Sequence, residues 1–397
     1  MKALNILCLD IEGGHGGSSK SLYNSIKYLN KKVINPIIIC KKDGIKKDYE
    51  NIGVMCLVEK NMPTFSVLRK ESRNIIYAIF FIFYLWPKAF YFKKRLLKII
   101  DQRKIDILHC NLISLYLLAF WIKRKRPKLL FSLHVRTNPV KNLTAFFQAK
   151  LVNKIFQGKI FITKNEQRNM KSLSKSNNSK DIVIYNSVES PSYKTNDSTF
   201  SKREWPINIL TLANYSYPRG VDRIIEIIKS IPITERNKFR FIVAGDYKLP
   251  RFLPGKLKLL ALRGKTLKDY AIREKVDKYV TFLGHTKNTK DLLKSADILI
   301  KPTRENNPWG RDIIEALAHG KAIISVGKDN TFVKTNYTGY LQKKFNENKI
   351  SNWLLKVSKD KNKLLFFNKN ATNVVKKLCD PEQNALKLQE FWITLYK

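Results

Sequence analysis

At 397 residues the chain is long enough for two α/β domains, each with a sizeable core. Hydrophobic residues at 44% and charged residues at 27% are ordinary for a globular protein, and no repeat or low-complexity block interrupts it. The charge is not ordinary: 75 Lys and Arg against 32 Asp and Glu give +43, spread over both halves of the chain. Part of that follows from a general bias toward Lys, Ile and Asn. The remainder implies a polyanionic neighbour: nucleic acid, acidic lipid or a nucleoside diphosphate.

The N-terminal stretch MKALNILCLDIEGG is too short, and too acidic at its end, for a secretion signal, and reads as a first strand. EGGHGGSSK then runs into a helix carrying Leu22, Ile26 and Leu29. Strand, glycine loop and helix together let backbone N–H groups approach a phosphate. The glycines complete neither the dinucleotide fingerprint nor a Walker loop, so a tight turn is the plainer alternative. VINPIIICKK, IGVMCLV, DILHCN (106–111) and KLLFSLHVR (128–136) are further strand candidates. His134 falls at the carboxyl end of its strand, where open parallel sheets place ligands. It is therefore the first choice among five histidines. His109 is the reserve, His15 a third option, and His285 and His319 read as scaffold or surface.

NIIYAIFFIFYLWPKAFYF (74–92) holds twelve consecutive apolar residues, short of the roughly 20 that span a bilayer. KKRLLK (93–98) follows it, and KRKRPK (123–128) follows the apolar LISLYLLAFWI. The apolar faces are expected to pack on the sheet, and the basic clusters to meet an acidic membrane surface. KIFITKNEQRNM and DIVIYNSV close a first domain at 1–188, and the polar, aperiodic 189–206 reads as a linker. INILTLANYSYPRGVDRIIEIIKSI opens a second domain, 207–380, with further strands at FRFIVAGD, YVTFLGH, ADILIKP and AIISV. An amphipathic helix at 381–397 ends the chain. Cys8, Cys40, Cys56, Cys110 and Cys379 are odd in number and contain no C-x-x-C, so they read as reduced core residues. There is no Asp-x-Asp motif and no metal-ligand spacing.

KPTRENNPWGRDIIEALAHG (301–320) is the organising stretch. Its polar loop ends at a helix whose first N–H groups, at Gly310, Arg311 and Asp312, favour an anion. Glu315, one turn in, is suited to a vicinal diol. A phosphate beside a diol describes a nucleotide.

The stretch resembles the donor-site signature of glycosyltransferase family 4: Glu, seven residues, Glu-Ala, with Phe-Gly between and Ala-x-Gly after. Trp309-Gly310, Glu315-Ala316 and His319-Gly320 match, whereas Asn307 stands where the first Glu is usual and the loop's only Glu is Glu305. Arg219-Gly220-Val221-Asp222 matches the family's Lys-Gly-Val-Asp. Asn214 replaces the cation five residues earlier, and Arg223 reads as a surface residue. Ser187 replaces the glycine of the family's Ile-x-Asn-Gly-Val.

The resemblance implies a GT-B α/β fold, two Rossmann-like domains facing across a cleft with the last helix crossing back to the first. It implies a retaining, metal-independent transferase with no cofactor. The donor is a UDP- or GDP-sugar and the acceptor a glycan or lipid-linked acceptor, in cell-surface polysaccharide or lipopolysaccharide biosynthesis. His134 then contacts the sugar; Gly16, Gly17 and Arg219 the diphosphate; Asn307 the sugar; Trp309, Gly310 and Arg311 the donor; and Glu315 the ribose. A cytoplasmic enzyme, peripheral on the inner membrane face, is expected, with no nucleic acid bound. A GT-B epimerase and a basic nucleic-acid-binding protein are the alternatives.

Overall fold

The computed structural model describes residues 3–14, 16–65, 79–137, 143–175, 178–189, 206–286 and 288–397. His15, residues 74–78 of the apolar run and residues 190–205 of the expected linker lie outside them. The chain divides into two units, one of Met1–Ser187 with Cys379–Lys397 and one of Val188–Leu378.

The first unit holds a seven-stranded parallel sheet: β1 (Leu4–Asp10), β2 (Ile34–Cys40), β3 (Met55–Val58), β4 (Ile107–Cys110), β5 (Leu130–Val135), β6 (Gly158–Phe161) and β7 (Ile182–Val183). The order is β3-β2-β1-β4-β5-β6-β7. Its strands are nearly continuous apolar runs because helices cover both faces of the sheet. On one face Leu96, Ile100, Ala119 and Ile122, from the helices Phe90–Gln102 and Tyr116–Lys125, pack with Leu108 and Phe131. On the other, the helix Pro381–Tyr396 brings Ala385, Leu388, Phe391, Trp392 and Leu395 against Ile6, Leu22 and Ile160. Asp380 caps that helix, accepting from the Gln383 N–H at 2.8 Å.

The second unit has a six-stranded parallel sheet of β8 (Ile207–Leu212), β9 (Phe239–Ala244), β10 (Val280–Gly284), β11 (Ile298–Lys301), β12 (Ala322–Val326) and β13 (Gly339–Gln342). Its order is β10-β9-β8-β11-β12-β13. In each unit the order reverses at the first strand, so crevices open at the carboxyl ends of β1/β4 and of β8/β11. The five cysteines are unpaired and buried.

One expectation is corrected. The 79–91 stretch does not lay its apolar face on the sheet. Phe81 is buried, but Ile79, Phe80, Ile82, Phe83, Tyr84, Phe90 and Tyr91 are exposed, Phe83 and Tyr91 by 76% and 82%. A π-helical turn at Phe81–Leu85 and Pro87 in the next turn break the regular helix here. No described helix is long and apolar enough to cross a membrane.

Candidate active site

In the second unit two loops meet at the β8/β11 crevice. The turn Tyr217–Gly220 packs directly on the segment after β11. Gly220, at φ +68°, lies so close that a Cβ would strike the Pro302 carbonyl oxygen. Asp222, 4% exposed, receives a two-pronged bond from Arg304 at 2.8 and 2.5 Å, and Arg304 also stacks 4.2 Å from the Tyr217 ring centroid. Val221 is core. The Arg-Gly-Val-Asp motif therefore divides its work: Gly220 permits the approach, Val221 anchors, Asp222 locks the loops together, and Arg219 is left exposed. The Arg219 side chain has no hydrogen-bond or ion-pair partner among the described residues.

Arg223, expected at the surface, instead is half-buried. It donates to the Pro302 and Thr303 carbonyls at 3.1 and 2.8 Å and lies 4.3 Å over the Phe345 ring. Asn214 uses its Oδ1 to accept the Asp246 N–H at 2.8 Å, bracing the loops after β8 and β9. An amide serves that brace where an ammonium could not, because only the amide has an acceptor.

The loop from Pro302 enters the helix Arg311–Ala318 through Gly310, where a Cβ would meet both Lys301 Nζ and the Asp312 carboxylate. Lys301 donates to the Trp309 carbonyl at 2.7 Å and faces Asp312 Oδ1 at 3.4 Å, so a cation stands beside this helix start. Trp309 is buried against Phe332, with ring centroids 5.7 Å apart. Its Nε1, like Asn307 Oδ1, is buried without a hydrogen-bond partner among the described residues. Glu315 accepts from Arg311 Nε at 2.8 Å, one turn apart, with both side chains about one-fifth exposed. His319 bonds the Glu315 carbonyl at the helix end, and His285 is exposed.

The β1/β4 crevice of the first unit is filled differently. Gly16 precedes the helix Gly17–Lys27, and Glu12 lies against it, accepting from Ser18 Oγ at 2.6 Å. The protein's own carboxylate thus sits at that helix start. Asn111 donates to Asp10 at 3.2 Å and accepts from Arg136 at 2.9 and 2.7 Å. Arg136 also reaches Asn186, which accepts from Ser21. His134, at the end of β5, is 4% exposed. Its Nδ1 lies 3.3 Å from both Arg136 Nη2 and His109 Nε2. Burial, then the Arg136 charge, then His109 hold its pKa well below the ordinary imidazole value. Burial and Arg136 bring His109 down to about 3. Both rings are neutral at neutral pH. Among the described residues no group of three or more His, Cys, Asp or Glu could hold a metal ion.

Lys301, Arg304, Glu12 and Trp392 were not singled out from sequence, and Asp222 only as a member of its motif. Each acts through a partner far along the chain or in an adjoining loop, which no local pattern reports.

Two parallel-sheet units, each with its crevice at the strand-order reversal, define the GT-B class of fold. Solved structures share it. HepE of Anabaena, solved with UDP and glucose, superposes with a TM-score of 0.75 at 18% identity, over 98% of this chain and 100% of that one. Sucrose-phosphate synthase from Thermosynechococcus elongatus gives 0.75 at 14%, covering 99% of each. WaaG, a glycosyltransferase involved in lipopolysaccharide biosynthesis, gives 0.62 at 14%, over 98% and 99%. No curated protein matches the chain in sequence. Residues 15–190 match the model described as Glycosyltransferase Family 4, and residues 194–374 the one described as Glycosyl transferases group 1. The chain belongs to this glycosyltransferase family.

Proposed function

We propose that this glycosyltransferase takes its sugar from a UDP- or GDP-sugar and delivers it, with retention, to a glycan or lipid-linked acceptor in cell-surface polysaccharide or lipopolysaccharide synthesis. The observation that carries the donor is Arg219: an exposed, unpartnered guanidinium on a turn clamped to the loop that leads into Gly310. That pairing sets a cation and a helix N-terminus on neighbouring loops, which suits a diphosphate. HepE, of the same fold, was solved with UDP-glucose. In this reading Arg219, Gly310 and Arg311 meet the diphosphate, Glu315 the ribose hydroxyls, and Asn307 the sugar beside Trp309. Lys301 steadies the helix start. The resemblance adds His134 at the sugar and Gly16 and Gly17 at the diphosphate.

Retention follows from front-face displacement. The acceptor oxygen bonds to the anomeric carbon on the face from which the diphosphate leaves, and a phosphate oxygen takes the acceptor's proton. Arg219 and the helix N–H groups stabilise the leaving charge, a role open to them without a metal. Saturation-transfer NMR against a panel of UDP- and GDP-sugars is the test. One class of nucleotide sugar is expected to bind, Glu315→Ala to lose that binding, and turnover to survive EDTA. A panel with no binder, alongside tight RNA binding, overturns the reading.

The acceptor side carries a membrane proposal. The exposed 79–91 aromatics stand among cations, Lys88 5.3 Å over Tyr84 and Lys94 4.6 Å over Phe90. Such a mixture suits an acidic lipid interface. In the second basic cluster Arg126 pairs with Asp101 at 2.5 Å and Lys123 donates to the Ile155 carbonyl at 2.8 Å, so its charge is partly committed to the fold. Phe83→Ser with Tyr91→Ser should abolish flotation with acidic liposomes. Flotation equal to that of the parent protein sinks the proposal.

A further inference from the structure

Deep in the first unit an unbroken line of hydrogen bonds joins the last helix to the end of β5. Trp392 Nε1 lies 3.2 Å from Ser132 Oγ. Ser132 Oγ is 2.9 Å from His109 Nδ1, and His109 Nε2 is 3.3 Å from His134 Nδ1. Arg136 Nη2 reaches the same His134 nitrogen at 3.3 Å. Trp392, Ser132 and His109 are fully buried. The His109 ring stands edge-on to both neighbours, 5.4 Å from each, at 81° to His134 and 75° to Trp392.

Both ends of the line are pure donors, since neither an indole nor a guanidinium has an acceptor. Arg136 therefore requires His134 Nδ1 to accept, which places the ring proton of His134 on Nε2. His109 must then present its own proton from Nε2, leaving its Nδ1 bare for the Ser132 hydroxyl. The Ser132 oxygen accepts the indole N–H. In this sense every proton has one home. The opposite sense sets an N–H of His134 against the guanidinium and leaves the buried Ser132 proton nowhere to go, at the cost of an unsatisfied buried group. Two donors sharing one His134 lone pair also account for the equal, long distances.

We infer that Trp392, Ser132 and His109, closed by Arg136, form a one-directional chain that holds His134 as the neutral Nε2–H tautomer. His134 is thereby kept as a hydrogen-bond donor, and Trp392, Ser132 and His109 are positioning residues for sugar transfer. The inference rests on the proposed place of His134 at the sugar. His134 Nε2 has no protein partner among the described residues, so its N–H is left for a sugar oxygen. A ring with its proton fixed outward donates but cannot serve as a base there, which agrees with a reaction whose leaving phosphate takes the acceptor's proton.

The test is long-range proton–nitrogen correlation NMR on the full chain labelled at its histidines, with His109→Gln and His134→Gln spectra for assignment. Both rings are expected to show a bare Nδ1 and a protonated Nε2, unmoved between about pH 5.5 and 8. Ser132→Ala leaves the bare His109 Nδ1 without its hydroxyl donor and should move that nitrogen signal downfield while Nε2 stays protonated, and lower kcat about tenfold with KM changed less than about twofold. Trp392→Phe, which removes the indole N–H along with part of the ring, should shift the same signal less and lower kcat about threefold. A proton on His134 Nδ1, a ring titrating in that range, or signals indifferent to Ser132→Ala overturns the chain. The parent spectrum decides the tautomers even where a variant fails to fold. His134→Ala turning over sugar at the parent rate would instead overturn the role of His134, and with it the chain's part in catalysis, while the tautomers stand.

Discussion

The two crevices have the same topology and opposite contents. At β1/β4 the protein spends its own side chains: Asp10, Asn111, Arg136, Asn186 and Ser21 are bonded to one another, and Glu12 occupies the helix start. At β8/β11 the internal bonds tie the loops to one another, between Asp222 and Arg304 and between Arg223 and the 302–303 carbonyls. Arg219 is left unpartnered, and buried atoms of Asn307 and Trp309 are unsatisfied. The first crevice is largely closed on itself, although Asp10 Oδ2 is buried there without a partner among the described residues. A crevice with spare hydrogen-bonding capacity is built to receive charge.

The contrast breaks hardest at Gly220. Gly220→Ala forces a side chain onto a left-handed backbone and into the Pro302 carbonyl, so a loss of about 3 kcal/mol is expected in denaturant unfolding. Arg304→Ala leaves the buried Asp222 carboxylate unpaired and should cost about 2–3 kcal/mol by the same measurement. Arg219→Ala touches no internal contact. It should leave stability within about 0.5 kcal/mol while lowering kcat/KM for the donor about 10- to 100-fold, with partial recovery in Arg219→Lys. If Arg219→Ala unfolds the protein, the division of labour within the motif is wrong.

A pH effect sharpens the other side. His109 and His134 resist protonation in the fold, His109 down to about 3 from an ordinary 6.5. Below about pH 6.5 the unfolded chain takes up protons the folded one refuses. Stability is therefore fully present above that value and falls as pH drops, by up to about 1.4 kcal/mol per pH unit for His109 down to about pH 3, with His134 acting in the same direction. Denaturant midpoints at pH 7.5 and 5.5 measure it, and His109→Gln should flatten the slope by about half.

The strands were legible because buried parallel strands are written as unbroken apolar runs. β13 was not, since only Gly339 and Gln342 at its ends are buried, and neither is an apolar strand signal. The segment 79–91 shows the limit of that signal: apolar character marks what avoids water, not which partner supplies the cover. Arg219 and Gly220 were legible from a motif, whereas the partner of Asp222 lies 82 residues away. The Trp392–Ser132 bond spans 260 residues, and His109 draws its meaning only from that line.

The first unit is also discontinuous, because its core is completed by Cys379–Lys397, beyond the whole of the second unit. During synthesis the sheet of residues 1–187 must wait, with Ile6, Leu22 and Ile160 uncovered, until the intervening unit has emerged and the last helix has followed it. The first unit's core is therefore completed only after the second unit has been synthesised, and His134 receives its final surroundings only when Trp392 docks.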